Sequence, residues 1–391
     1  MSISTEDIKH YFELFDRGVD RRGSKSWKWD ANMSNFGSEN VIPMGTADTD
    51  FMVPETVREA LVSRAMHGAF GYTIVADSDL DAVAGWMNSR HNTNVGRECV
   101  TLSPGVIDSL NVAVCAYTEP GDLVAIQTPV YGPFYGVVKN NGRRLYESPL
   151  IHDENGWRMD LGNLEEGFKS GAKMMILCSP HNPLGRVWRR EELEALHDLC
   201  ERYGVMVVSD EIHSDVILPG HTQTPWITID PKGVTCISAT KAFNIASLRC
   251  SSVIIPDNDK REQFRKEFRS RGIDGINLFG VLAQTTAYQT GADWLDALCL
   301  YIDENRKLAE SYLSEHRPEF SFSHIEGTYL LWLDMRCLGL DEPELRKWCA
   351  GKGVGLVQGT AFGENGRGFM RMNIATPRSN LAKALELLCA D

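Results

Sequence analysis

Apolar positions along this chain follow two alternating patterns. Three- and four-residue spacing predicts helices: one near the start, carried by Ile8, Tyr11, Phe12, Leu14 and Phe15, and others over 54–67, 77–91, 107–117 and 190–203. Pro54 stands at the start of the second of these, where helix entries tolerate a missing N–H. Short continuous apolar runs at 123–127, 173–178, 205–209, 234–238 and 251–255 predict strands buried on both faces. Their alternation with helices from about residue 50 to 290 predicts an α/β fold with a mainly parallel sheet flanked by helices.

After about residue 290 the pattern changes to long amphipathic helices, at 293–313 and 341–351, with few strands such as 328–333. That predicts a smaller α+β domain. The expected organisation is an N-terminal arm and part of the small domain over 1–48, a large domain over 49–288, and a small C-terminal domain over 289–391. No internal repeat and no long Pro/Ser linker is visible.

Composition narrows the classes. The chain has 391 residues, 43% apolar and 24% charged, which is globular. Apolar runs reach about five residues where a membrane span needs about 20, so no membrane segment is expected. The polar, acidic N-terminus has no signal-like apolar region. A net charge of −13 argues against a nucleic-acid or anionic-membrane partner. Ten cysteines without a C-x-x-C pair predict reduced thiols in a cytoplasmic protein and no metal site.

Ligands of parallel α/β sheets bind beyond the carboxyl ends of the strands. Ser179-Pro-His-Asn182 follows one apolar run, Asp210-Glu-Ile-His213 the next, and Ser238-Ala-Thr-Lys241 a third. Three strand ends thus deliver an amide, a carboxylate and a lysine towards one edge. Ser103-Pro-Gly105 opens the helix at 107–117, whose N–H groups suit a phosphate. Neither G-x-x-x-x-G-K nor G-x-G-x-x-G is present, so a nucleotide is disfavoured. One phosphate, one Asp, one Asn and one Lys describe pyridoxal 5′-phosphate: the Lys forms a Schiff base, the Asp keeps the pyridine nitrogen protonated, and the Asn donates to the ring oxygen.

With these motifs the chain resembles fold-type I pyridoxal-phosphate enzymes over nearly its whole length. It is most similar to the class I/II aminotransferase-like subgroup holding cystathionine β-lyases (C-S lyases) of the MalY/PatB kind. The shared stretches include Lys28-Trp-Asp30, Ala47-Asp-Thr-Asp-Phe51, Gly71-Tyr-Thr73, Ser103-Pro-Gly-Val106 and Tyr131-Gly-Pro-Phe134. They continue with Ser179-Pro-His-Asn-Pro-Leu-Gly-Arg186, Ser209-Asp-Glu-Ile-His213, Lys241-Ala-Phe-Asn-Ile245 and Gly368-Phe-Met-Arg-Met-Asn373.

The resemblance implies that Lys241 carries the cofactor, Asp210 pairs with the pyridine nitrogen, Asn182 with the ring oxygen, and Tyr131 stacks on the ring, with His213 close around it. It implies phosphate contacts from Gly105, Val106, Ile107, Ser238 and Arg249. Tyr72 is expected to reach the phosphate of a neighbouring subunit, which makes the protein a homodimer with shared sites. Arg371 is expected to bind the α-carboxylate of a small amino-acid substrate. The implied reaction is α,β-elimination from cystathionine or a related cysteine S-conjugate, giving a thiol, pyruvate and ammonia.

Two departures keep alternatives open. Pro43-Met-Gly-Thr-Ala-Asp-Thr-Asp-Phe51 has Gly45 and Thr49 where the subgroup commonly has Trp and Met, which implies a wider or more polar pocket. Arg249, eight residues after Lys241, is typical of aminotransferases, so transamination of an L-amino acid remains a second reading. A non-enzymatic protein binding a transcription factor is the third.

Overall fold

The computed structural model describes residues 3–390 except Asn155 and Asp274. Its centre is a seven-stranded sheet of β1 (Val100–Ser103), β2 (Leu123–Thr128), β3 (Arg144–Pro149), β4 (Ala172–Cys178), β5 (Met206–Asp210), β6 (Val234–Ile237) and β7 (Ser251–Ile254). The spatial order is β1-β7-β6-β5-β4-β2-β3. Five neighbours, β6 to β3, run parallel. β2, β4 and β6 are apolar on both faces, as strands covered by helices on both sides must be. Arg190–Tyr203 is one of the covering helices, burying Leu193, Leu196 and Leu199.

β7 departs from the parallel expectation and is antiparallel to both neighbours, so the sheet is mixed. The chain between β6 and β7 forms only the short helix Ala239–Ala242 and a 3₁₀ turn at Ala246–Leu248, both outside the carboxyl end of β6. A parallel return has to carry the chain back across the sheet, usually as a long helix, and no such helix lies between β6 and β7. β7 therefore re-enters at the edge where β6 left. That reversal brings the start of β7, with Arg249 just before it, to the same edge as the ends of β4, β5 and β6.

Two strands escape the hydrophobic pattern. β3 (RLYESP) is an edge strand with largely exposed or half-buried positions, and β1 is a four-residue edge strand. The observed helices run close to the predicted ones: Glu55–Met66, Asp77–Arg90, Val106–Tyr117, Ala292–His316 and Glu342–Gly351.

A second, antiparallel sheet joins β8 (Ser321–Phe322), β9 (Leu330–Asp334), β11 (Phe369–Asn373) and β10 (Val357–Gln358) in that order. The N-terminal segment attaches here too, with Ile42–Pro43 pairing parallel to Val354–Gly355. Its first helix, Thr5–Arg17, places Phe15 against Phe51, Trp294 and Tyr301. Among the described residues no helix is long and apolar enough to cross a membrane.

Candidate active site

The carboxyl ends of β4, β5 and β6 lie side by side, with Cys178 opposite Asp210 and Asp210 opposite Cys236. A cavity of about 490 Å³ opens beyond them. Lys241, Asp210, Asn182, Tyr131, His213 and Arg371 all line it, as do Gly105, Val106, Ile107, Ser238 and Arg249. Tyr72 does not; its side chain is fully exposed, beside exposed Phe70 and Ile74.

Lys241 projects from the short helix after β6, and its Nζ donates to the Ala47 carbonyl at 2.7 Å. Burial lowers its pKa to about 8, because an ammonium loses hydration there. Asp210, the last residue of β5, accepts from the Ile212 N–H at 3.0 Å. Burial raises its pKa to about 7, against the weaker pull of that hydrogen bond and of Lys241. A carboxyl placed this way is short of a cationic partner. His213 is buried, held well below the usual imidazole range by desolvation and then by Lys241 and Arg371, and its Nδ1 has no partner.

Arg371 comes from β11, so the last sheet supplies a cation to the first. Its Nη1 donates to Asn182 Oδ1 at 2.9 Å and its Nη2 to the Gly45 carbonyl at 2.8 Å, over the Phe362 ring. Nε is buried without a partner, and burial brings the guanidinium down to about 10. Asn182 thus shows its oxygen to Arg371, which leaves its NH₂ as the group that can donate into the cavity.

At the opposite end, Gly105 caps the helix Val106–Tyr117, whose first N–H groups have no partner within the helix. Arg249 lies there, ion-paired with Asp108 at 2.8 Å. Ser238 is the N-cap of the lysine-bearing helix; its hydroxyl lies 2.7 Å from the Cys250 carbonyl, which accepts its proton, and 2.8 Å from the Thr240 hydroxyl.

The residues fit pyridoxal phosphate. An amine poised near neutral pH, a buried carboxyl lacking a cation, and a phosphate-sized nest of helix N–H groups with an arginine border one cavity. Among the described residues no cluster of three or more His, Cys, Asp or Glu side chains can hold a metal.

The sequence reading missed the scaffold of the loop 45–51. Lys28 is fully buried with Nζ 2.7 Å from Asp50 Oδ2, and Trp29 Nε1 donates to Asp50 Oδ1 at 2.8 Å. Arg21 grips both oxygens of Asp48 at 2.8 Å. Asn373 Nδ2 donates to the carbonyls of Thr46 and Asp48, and Tyr329 shares the Ala47 carbonyl with Lys241 at 3.2 Å. The available signal is the opposite charge of Lys28 and of the Asp48 and Asp50 pair. Neither Gly45 nor Thr49 lines the cavity. A Cβ at Gly45 would meet Val357 Cγ2 at 2.9 Å, and Thr49 is fully buried.

Fold and site together define a fold-type I pyridoxal-phosphate-dependent enzyme. The model of the family "Aminotransferase class I and II" matches residues 39–388, and the chain belongs to that family, in the group of MalY and PatB. It is 43% identical to cystathionine beta-lyase PatB of Bacillus subtilis, over 96% of this chain and 99% of that protein. Identity to protein MalY of Escherichia coli is 36%, over 95% and 96% of the two chains. Cystalysin from Treponema denticola, whose crystal structure contains pyridoxal 5′-phosphate, superposes with a TM-score of 0.91 at 33% identity, covering 96% of this chain and 97% of cystalysin. The PLP-bound C-S lyase of Staphylococcus hominis gives 0.89 at 30%, covering 96% of each chain.

Proposed function

We propose that this chain is a pyridoxal-phosphate-dependent carbon–sulfur β-lyase, cleaving L-cystathionine or related cysteine S-conjugates by α,β-elimination to a thiol, pyruvate and ammonia. Lys241, Asp210 and Arg371 around one cavity support the cofactor chemistry, and the 43% identity to cystathionine beta-lyase PatB carries the choice of elimination. When bound, the cofactor supplies an electron sink beside Cα.

The residues do the rest. Arg371, held by Asn182 and Gly45, keeps N–H capacity for the α-carboxylate, a forked task that suits guanidinium better than ammonium. Lys241 Nζ, near pKa 8, takes the Cα proton, and the Ala47 carbonyl gives the resulting ammonium an acceptor. The Cβ–S pair leaves with sulfur, which accepts a proton to become the thiol. The remaining three-carbon fragment adds water and gives pyruvate and ammonia. Asp210 would serve as the buried counter-charge for the pyridine nitrogen, and Tyr131, on the same cavity, would pack against the ring.

Exposed Met66, Phe70, Tyr72 and Ile74 form an apolar surface that a second copy of the chain would cover, with Tyr72 completing the neighbour's phosphate site. All ten cysteines are free, which fits a cytoplasmic location.

Incubation with L-cystathionine and no keto acid tests the reading: pyruvate and a free thiol are expected in equal amounts. Arg249 at the phosphate end favours transamination as the second reading. Turnover only after adding 2-oxoglutarate would select it.

A further inference from the structure

A second cavity of about 290 Å³ adjoins the catalytic one, and Trp27 and Thr46 line both. The two cavities meet at Trp27 and Thr46, beside the Gly45 backbone. On its catalytic side the Gly45 carbonyl holds Arg371. On its other side stand Val357 and Phe36, 2.9 and 3.5 Å from where a Cβ on Gly45 would be. A bulkier residue at 45 would displace these walls, so glycine keeps the second pocket in shape.

The chemistry of that pocket is two-sided. Trp27, on the helix Trp27–Asp30, and Phe36 offer ring faces, and the Trp27 side chain is two-thirds exposed. Arg346, on the helix Glu342–Gly351, closes the far side with Gln358. Arg346 Nη2 donates to the Asn35 carbonyl at 2.7 Å, which fixes the guanidinium. Among the described residues Arg346 forms no ion pair, in a chain of net charge −13. A tethered guanidinium with unused N–H groups is a receptor for a carboxylate.

We propose that this pocket receives the departing thiol portion of the substrate and that Arg346 binds a carboxylate on it, with the methylenes lying against Trp27 and Phe36. The inference rests on the lyase reading and names its substrate class: cysteine S-conjugates whose sulfur carries a carboxylate-bearing tail. Arg371 then holds the carboxylate at one end of the substrate and Arg346 the one at the other.

The test compares L-cystathionine with S-ethyl-L-cysteine, which has no second carboxylate, on the holoenzyme and its Arg346→Gln and Arg346→Lys variants. In Arg346→Gln the ratio of kcat/KM between the two substrates is expected to fall about tenfold, the worth of one charge-assisted hydrogen bond. The loss is expected in KM for cystathionine, with kcat within twofold, and Arg346→Lys recovers part of it. A ratio within twofold of the unmodified enzyme, or an equal loss on both substrates, overturns the subsite. If the unmodified enzyme releases thiol from neither substrate, the lyase reading itself fails and the subsite goes with it.

Discussion

Arg249 Nη2 lies 2.8 Å from Asp108 Oδ2 at the end of the cavity where the helix Val106–Tyr117 begins. An acid in the first turn is favourable to a helix, yet this one stands in the phosphate nest and already holds its arginine. Incoming phosphate has to exchange Asp108 for itself on Arg249. Asp108→Asn is therefore expected to tighten pyridoxal phosphate binding by about three- to tenfold. Titration of the cofactor-free protein, read by absorbance near 420 nm, measures it. An unchanged or weaker affinity would show that the pair does not compete.

Asp210→Asn keeps the shape of the site and removes the counter-charge. Elimination is expected to fall by about 10²–10⁴-fold while the cofactor still binds. Pyruvate formation and the 420 nm band, measured on one sample, separate the two effects.

Buried acids give the cofactor-free protein a pH signature. Asp210 titrates at about 7 when folded against about 4 when unfolded. The folded state binds more protons in between, so this contribution is fully present at low pH and is lost as pH climbs from about 4 through 7. Glu211, raised to about 8 by burial, acts in the same direction. Lys241 affects only the range between about 8 and 10.5, where its depressed pKa makes stability rise with pH. The thermal unfolding midpoint of the cofactor-free protein should decline between pH 5 and 7 from these groups, and Asp210→Asn should flatten that slope. A slope identical in the variant would remove Asp210 as its source.

Arg371→Lys retains a charge but not the fork that spans Asn182 and Gly45. KM is expected to rise by about ten- to a hundredfold, the loss falling on substrate binding. A change confined to kcat would place the guanidinium in the chemical step instead.

Tyr72 tests the shared site. Tyr72→Ala and Lys241→Ala are each expected to abolish most activity alone, while mixing the two chains after partial unfolding should restore about a quarter, because half the dimers are hybrids with one intact site. No recovery, with both variants dimeric by sedimentation, would confine each site to one chain.

Much of the seven-stranded sheet was legible because buried strands announce themselves. 173–178 and 234–238 are continuous apolar runs, and the residues after them became the site. β3 was illegible because an edge strand with exposed positions has no such run, and β7 looked parallel because its apolar core carries no sign of direction. The site divides in the same way. Asp210 ends a strand, Lys241 and Asn182 follow strands, and all three could be placed from the sequence. The hold of Lys28 on Asp50 and of Asn373 on Thr46 and Asp48 depends on contacts across 22 and more than 300 positions, which spacing alone does not reveal.

The pinned loop also dictates when the enzyme can exist during synthesis. The carbonyl that faces the Lys241 amine is that of Ala47, 194 positions earlier, but the amide that anchors its neighbours, Asn373, is added 327 and 325 positions after Thr46 and Asp48. A ribosome-tethered chain that has not yet reached the strand Phe369–Asn373 therefore holds the lysine and the aspartate but lacks the clasp that sets their partner, so competence waits for that strand.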